Sequence, residues 1–210
     1  MNNINKLIST ILMLVILPAV FASDISFSGG FTQVNLQDGN HVVSLSGKAN
    51  VKTDDVELSA DKIKLYGEDY MFVECKGNIV VNEKKNDIQV NCTDLFYNRS
   101  TEKLISDGWV EISDLKNNAK LSGAWLEFST QGSQMEIQIK AKIEKDTDSG
   151  PLSCSADSIL YNADAQLLTL KGNAAVKWGD DSYKASLIYV NIDTEDITLH
   201  GSITGEVNGN

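Results

Sequence analysis

The feature that most constrains this chain is a repeat of about 30 residues that occurs six times. The first half of each copy centres on a small residue within alternating apolar and polar residues. These small residues are Gly30, Ala60, Cys92, Gly123, Ala156 and Ala185. The second half centres on a glycine between apolar residues, with an alanine in the fourth copy. These positions are Gly47, Gly77, Gly108, Ala141, Gly172 and Gly201. Six copies in the same order indicate a repeat architecture.

The apolar residues of each copy alternate with a period of two, which is the period of a β-strand. The alternation changes parity at the small residue: Val56, Leu58 and Ala60 are followed by Ile63 and Leu65. An extra residue at a β-bulge would return the apolar side chains to the same face after a bend. The glycine of the second half allows a tight bend or a close approach of two backbones. Each copy is therefore predicted to be a bent β-hairpin.

A single hairpin is marginally stable because it cannot bury its apolar face. Six stacked hairpins bury a continuous face, as in a solenoid. No linker interrupts the repeats. We therefore expect an all-β protein in which residues 23–210 form one elongated domain.

One face of every predicted strand is aliphatic, and no side chain of the set assigned to this face is charged. Either these side chains only form a packed core, or they line an open groove suited to acyl chains. The candidate lipid-contacting residues are Leu45, Leu58, Ile63, Leu65, Val73, Ile79, Val90, Leu95, Val110, Leu126, Phe128, Ile137, Ile139, Ile159, Leu168, Leu170, Ile188 and Leu199.

The first 22 residues have the composition of a signal peptide. A polar segment with one Lys precedes an apolar run at residues 7–20, which is shorter than the roughly 20 residues of a membrane-spanning helix. Val20 and Ala22 occupy the −3 and −1 positions that signal peptidase prefers. We expect cleavage after Ala22 and a periplasmic protein; the alternative is a retained N-terminal anchor.

The composition argues against several classes of function. A formal net charge of −11 and a single arginine, Arg99, do not suit nucleic acid, which requires clustered basic residues. His41 and His200 lie in different repeats, and no nucleophile, phosphate-loop or metal-binding pattern is present. We therefore expect neither an enzyme nor a cofactor. The three cysteines at positions 75, 92 and 154 are expected to be buried as small apolar residues.

Two short motifs recur and carry a family resemblance. Ser59-Ala60-Asp61 precedes Lys76-Gly77-Asn78, and the same two tripeptides recur at residues 155–157 and 171–173. In this order, after a signal peptide, they resemble the OstA-like family, and the resemblance covers nearly the whole mature chain. It implies a twisted β-jellyroll, open at both ends, that carries lipopolysaccharide across the periplasm. It also implies that LptA-type members pair head to tail, or with related jellyroll components, through exposed edge strands.

Three hypotheses follow. The leading one is a periplasmic carrier that shields the acyl chains of lipopolysaccharide or a related glycolipid, with edge strands near residues 26–33 and 197–207. The second is an assembly protein with a filled core and no lipid cargo. The third is a membrane-anchored, LptC-type component in which residues 7–20 stay attached.

Overall fold

The computed structural model describes residues 26–35, 41–52, 56–84, 87–116, 118–129, 134–162 and 164–207. The predicted signal peptide therefore lies outside the described residues. The strands are β1 Ser26–Ser28, β2 Phe31–Asn35, β3 Val42–Lys52, β4 Val56–Tyr66, β5 Phe72–Glu83, β6 Ile88–Asn98, β7 Lys103–Asp114, β8 Ala119–Ser129, β9 Gln134–Thr147, β10 Gly150–Asn162, β11 Leu167–Trp178, β12 Asp181–Asn191, β13 Asp196–His200 and β14 Thr204–Glu206. A short 3₁₀ turn, Glu68–Tyr70, precedes β5. Within these ranges no helix has the length and apolarity needed to cross a membrane.

All fourteen strands belong to one antiparallel sheet in which neighbours follow chain order. The two ends of the sheet are built alike. At the first end β1 and β2 both pair with β3, and at the last end β13 and β14 both pair with β12. The all-β prediction and the predicted positions of the edge strands are therefore confirmed.

Each long strand bends where its pairing register shifts, as the parity change predicted. Between β4 and β5, Ser59 pairs with Val80 and Lys62 pairs with Lys76. Two residues of β4 thus oppose three of β5, and the extra residue bends the sheet as a β-bulge does. Corresponding shifts occur in the other pairs of long strands, from β3–β4 to β11–β12. We call this line of bends the corner.

The corner divides the sheet into two layers that share one core. The first layer contains, for example, residues 62–66 of β4 and 72–76 of β5, and the second contains residues 56–59 and 79–83 of the same strands. The inward side chains of both layers form a single buried cluster. The described residues include no second sheet, so each layer covers the apolar face of the other. This arrangement is a β-jellyroll of stacked bent hairpins, as the sequence predicted.

The recurring tripeptides build the corner. Asn78 Nδ2 donates a hydrogen bond of 2.8 Å to Asp61 Oδ2 on the neighbouring strand. Gly77, with φ of 71°, lies directly under this carboxylate: a Cβ added there would be 2.4 Å from Asp61 Oδ2. The second occurrence repeats the geometry, since Asn173 donates to Asp157 at 3.0 Å. The motifs therefore recur because one bend requires all three residues: the aspartate accepts a hydrogen bond, the asparagine donates it, and the glycine leaves room for the carboxylate.

The fourth copy differs from the prediction. The register shift between β8 and β9 lies between the pairs Ser122–Lys142 and Trp125–Gln138. Ile139 and Lys140, with φ of 60° and 58°, therefore occupy the bend. Ile139, not Ala141, stands in the glycine position. The alignment was wrong because Ile-x-Ile-x-Ala-x-Ile alternates evenly and contains no glycine to mark the bend.

Candidate functional site

The interior between the layers collects nearly all of the predicted lipid-contacting residues. Fifteen of them are buried with exposed fractions of 0 to 4%. Leu65 and Leu199 are partly buried and pack against the same core. Ile139 is the exception, because its side chain lies on the outer face at 58% exposed. Its assignment to the inner face was wrong, because the even alternation of the fourth copy contains no glycine to mark the bend.

The interior is filled by the side chains of the protein itself. Ile137, Leu126 and Leu170 have exposed fractions of 0%, and Phe128 has 1%. An acyl chain can contact these side chains only when the two layers separate.

Opposite the corner, the turns of the two layers face each other; we call this side the mouth. Ser149 lies in the turn between β9 and β10, which belongs to the second layer. Its hydroxyl donates a hydrogen bond of 3.0 Å to Oε2 of Glu195, in the first-layer turn between β12 and β13. This bond joins the layers across the mouth near the C-terminal end of the molecule.

A row of charged side chains lies on the inner face of the second layer beside the mouth. Glu83, Asp114 and Lys145 are 6%, 1% and 7% exposed. The pairing register places them in one row, in which Ile88 separates Glu83 from Asp114 and Ala119 separates Asp114 from Lys145. We call these three residues the inner polar row.

The inner polar row was missed by the sequence analysis, although the alternation contained a signal for it. Each member stands two residues beyond the last aliphatic inward residue of its strand, as Glu83 follows Ile79 and Val81. A charged residue close to a turn is usually solvated. Extending the period of two by one more step would have placed all three residues inside.

Lys145 lies in the interior, where two carboxylates act on its charge. Burial lowers the pKa of its ammonium group, while the carboxylates of Asp114 and Asp148 oppose that effect. A buried charge is costly unless it is paired, so these carboxylates compensate Lys145 in the closed structure.

The corresponding inward row of the first layer contains three aromatic side chains and, within the described ranges, no charged one. Tyr97, Phe128 and Tyr161 are each buried, with exposed fractions of 3% or less. Burial raises the pKa of Tyr97 to about 12, with a contribution from the nearby Glu102. The interior is therefore aliphatic at its centre. Toward the mouth it has charged side chains on the second layer and aromatic side chains on the first.

The edge strands carry large exposed apolar side chains. Phe27, Phe31 and Val34, on β1 and β2, are 52%, 62% and 51% exposed. Ile203 and Val207, which flank β14, are 55% and 69% exposed. The outer edges of both ends have no partner strand within the described part of the chain.

The remaining chemically reactive residues occupy ordinary structural positions. All three cysteines are buried, as predicted, and none forms a disulfide. His41 lies against the ring of Tyr70, and His200 lies edge-on to Tyr189. The described ranges contain no group of three or more side chains that could hold a metal ion.

The fold and its interior define a bent β-jellyroll with an apolar core and two accessible edges. The family model described as "LptA/(LptD N-terminal domain) LPS transport protein" matches residues 32–196. The chain therefore belongs to this family of lipopolysaccharide transport proteins, and lipopolysaccharide transport is its general role. No curated protein matches the chain. A matching solved structure is LptH of Pseudomonas aeruginosa, titled the LptA homologous periplasmic component of the conserved lipopolysaccharide transport device. It is 9% identical, with coverage of 91% of this chain and 100% of that chain and a TM-score of 0.30.

Proposed function

We propose that this protein carries lipopolysaccharide, or a related glycolipid, through the periplasm with its acyl chains between the two layers. The observation that carries this proposal is the continuous aliphatic interior of a chain that belongs to a lipopolysaccharide transport family. Transfer of an acyl chain from water into such an interior is favourable by about 0.8 kcal/mol for each CH₂ group. No covalent chemistry is required.

Loading requires the layers to separate at the mouth and bend at the corner. The closed interior is stabilised by contacts among its own aliphatic side chains, and acyl chains would replace those contacts with similar ones. The cost of opening is therefore largely offset on loading, and exchange of the lipid between the carrier and a membrane, where its chains are also buried, changes the free energy little. Such near-balance suits a carrier, which must release its cargo as well as bind it.

The edge strands are the proposed contacts with other proteins. An exposed strand edge pairs with another sheet by β-augmentation, and flanking side chains add apolar contact. The edge with Phe27, Phe31 and Val34 would meet the β13–β14 edge of a second copy, or of another jellyroll component, head to tail. Phe31→Asp should then reduce the average mass measured by light scattering at high protein concentration.

Photocrosslinking tests the location of the cargo. The analogue p-azidophenylalanine is placed at Phe128, which is 1% exposed, and in a second variant at Trp109, which is 45% exposed on the outer face. After irradiation in cells that make lipopolysaccharide, we expect a lipid adduct from position 128 and none from position 109. Adducts from position 109 alone would place the lipid outside the interior.

A charge substitution gives a second test with a matched control. Ile79 is 1% exposed in the interior, whereas Ile139 is exposed at the corner. Ile79→Glu should strongly reduce the adduct formed from position 128, because a carboxylate in the aliphatic centre repels acyl chains. Ile139→Glu should leave the adduct unchanged. Circular dichroism spectra of both variants check that the sheet persists.

The filled interior favours a second candidate function, an assembly protein that binds no lipid. In that case the core serves stability alone and the edges organise other periplasmic β proteins. Delipidated protein that takes up no lipopolysaccharide, yet still associates end to end, would support this function over transport.

The N-terminal segment decides between a released and an anchored protein. We propose that residues 1–22 direct secretion to the periplasm and are removed after Ala22, leaving residues 23–210 as one domain. Mass spectrometry of the mature N-terminus tests this. A protein that retains residues 7–20 would instead be a membrane-anchored, LptC-type component.

A further inference from the structure

We propose that the part of the inner polar row formed by Asp114 and Lys145 is a headgroup site, in which Lys145 binds an anionic group of the cargo. The ligand class is a phosphorylated or carboxylated glycolipid. The inference rests on the proposed carrier function and specifies how the carrier recognises the polar end of its cargo.

The position of Lys145 suits this role. It lies on the inner face two residues before the end of β9, and β9 leads into the turn that contains Ser149. Acyl chains in the aliphatic interior would extend away from the mouth, and the headgroup attached to them would lie beside the inner polar row. Lys145 is the one cation among the buried residues of the described ranges.

Stability does not require charges in this row. The remaining inward members of this row are apolar: Val56, Ile88, Ala119 and Leu152 are buried, and Trp178 is partly buried. An aliphatic residue at position 145 would fit the pattern, and replacing a buried ion pair by packed apolar residues is often neutral or stabilising. A lysine at this point is therefore better explained by a ligand than by packing.

The Asp114 carboxylate compensates the charge of Lys145 electrostatically when no cargo is bound. As the layers part, water can reach the Asp114 carboxylate, and an incoming phosphate can take its place beside the ammonium group. Hydrogen bonds between lysine and phosphate are charge-assisted and stronger than neutral ones. The exchange keeps Lys145 compensated in both states. It also explains how a chain with a net charge of −11 can accept an anionic lipid.

The outer face contains a competing basic site. A cavity of about 290 Å³ there is lined by Phe31 together with Lys62, Lys64 and Lys76. Lys76 is already paired with Asp94, and the Lys64 ammonium lies 4.6 Å from the centre of the Tyr66 ring. This cavity also lies outside the interior, so a headgroup bound there would be separated from acyl chains in the core. Lys62 serves as the test residue for this alternative.

The experiment measures binding of two lipids to the delipidated protein by displacement of a fluorescent fatty acid. The lipids are diphosphorylated lipid A and the same lipid with both phosphates removed. Lys145→Met should weaken binding of the diphosphorylated lipid roughly tenfold, since a charge-assisted bond is lost, and change binding of the dephosphorylated lipid less than twofold. Asp114→Asn should strengthen binding of the diphosphorylated lipid severalfold, because it removes the competing carboxylate.

Two controls isolate the effect. Lys142→Met removes an outer-face lysine of the same strand, which is ion-paired with Glu144 at 2.6 Å, and should not alter either affinity. Lys62→Met tests the outer cavity, and an effect there without one at Lys145 would overturn the proposal. Equal weakening of both lipids by Lys145→Met would also overturn it, by assigning the lysine a structural role. If the unmodified protein binds neither lipid, the carrier function itself is wrong, whatever Lys145 does.

Discussion

Two bends at the corner turn the sheet in the same way but are formed by different residues. At β10–β11, Gly172 lies beneath the carboxylate of Asp157, and Asn173 completes the bend with a hydrogen bond to it. At β8–β9 no glycine lies in the bend: Ile139 occupies it with φ of 60°, and Gly123 stands at the small-residue position of the preceding strand. A side-chain hydrogen bond stabilises the first bend, whereas the second, within the described residues, has no such bond and depends on close packing.

The difference shows that the repeat constrains backbone geometry more tightly than it constrains residue type. A Cβ on Gly123 would lie 2.7 Å from Ile137 Cγ1 and 2.9 Å from the backbone oxygen of Gln138. In the fifth copy Asp157 packs against Gly172, whereas in the fourth copy the close packing at the bend is between Gly123 and Ile137. A β-branched residue in the left-handed region is strained by about 1–2 kcal/mol, and the surrounding ladder must hold it there.

The largest expected effect comes from filling the space beneath Asp157. Gly172→Ala should lower the free energy of unfolding by about 2–3 kcal/mol, because an alanine at φ of 73° is strained and its Cβ meets Asp157 Oδ2. Gly179→Ala is the matched control, since φ there is 59° but the nearest atom is 3.5 Å away. It should cost about 1 kcal/mol. Urea denaturation measures both, and equal losses would show that the aspartate contact is unimportant.

The second substitution converts the irregular bend to the regular one. Ile139→Gly should raise the free energy of unfolding by about 1 kcal/mol, because it relieves the left-handed strain. The thermal midpoint is the measurement, with Ile137→Val as a control that should lower stability by about 1 kcal/mol through core packing. A destabilised Ile139→Gly would mean that the isoleucine makes a favourable contact at the corner.

A smaller effect separates the hydrogen bond from the backbone conformation. Asn173 and Lys140 occupy equivalent positions with φ of 49° and 58°. Asn173→Ala loses the hydrogen bond to Asp157. Lys140→Ala removes only the side chain of a residue whose backbone is in the left-handed region. We expect the asparagine variant to be less stable by a further 0.5–1 kcal/mol, about the usual value of one such bond, in parallel urea titrations.

Thiol labelling follows opening of the sheet without altering its stability. Cys92 lies at the corner and is 6% exposed, whereas Cys154 lies in the second layer at 0%. Burial raises the pKa of both thiols, to about 11 and about 12. The thiolate is the reactive form, so labelling of native protein by a maleimide should be slow at pH 8 and accelerate as pH rises.

Within that slow reaction, Cys92 should label before Cys154. Mass spectrometry of quenched samples identifies the labelled site. Faster labelling of Cys154 would mean that the second layer opens more readily than the corner.

Much of this fold was predictable because every copy repeats the same local pattern. The change of parity between Ala60 and Ile63 predicted the bend, and most inward positions followed from a period of two. Ile139 was misplaced because a bend without glycine leaves the alternation unchanged. Glu83, Asp114 and Lys145 were missed because a charge near a turn is normally solvated, and only the opposing layer buries these three.

The sequence by itself determined the strand period, the hairpin repeat and the chemistry of the regular bends, since these depend on neighbours along the chain or across one strand pair. Only the tertiary structure decided that the interior is filled, that Ser149 and Glu195 join the layers, and that three charged side chains lie inside the mouth. Those features depend on how far the sheet folds back on itself. That depends on the sum of all the bends, which no single copy of the repeat contains.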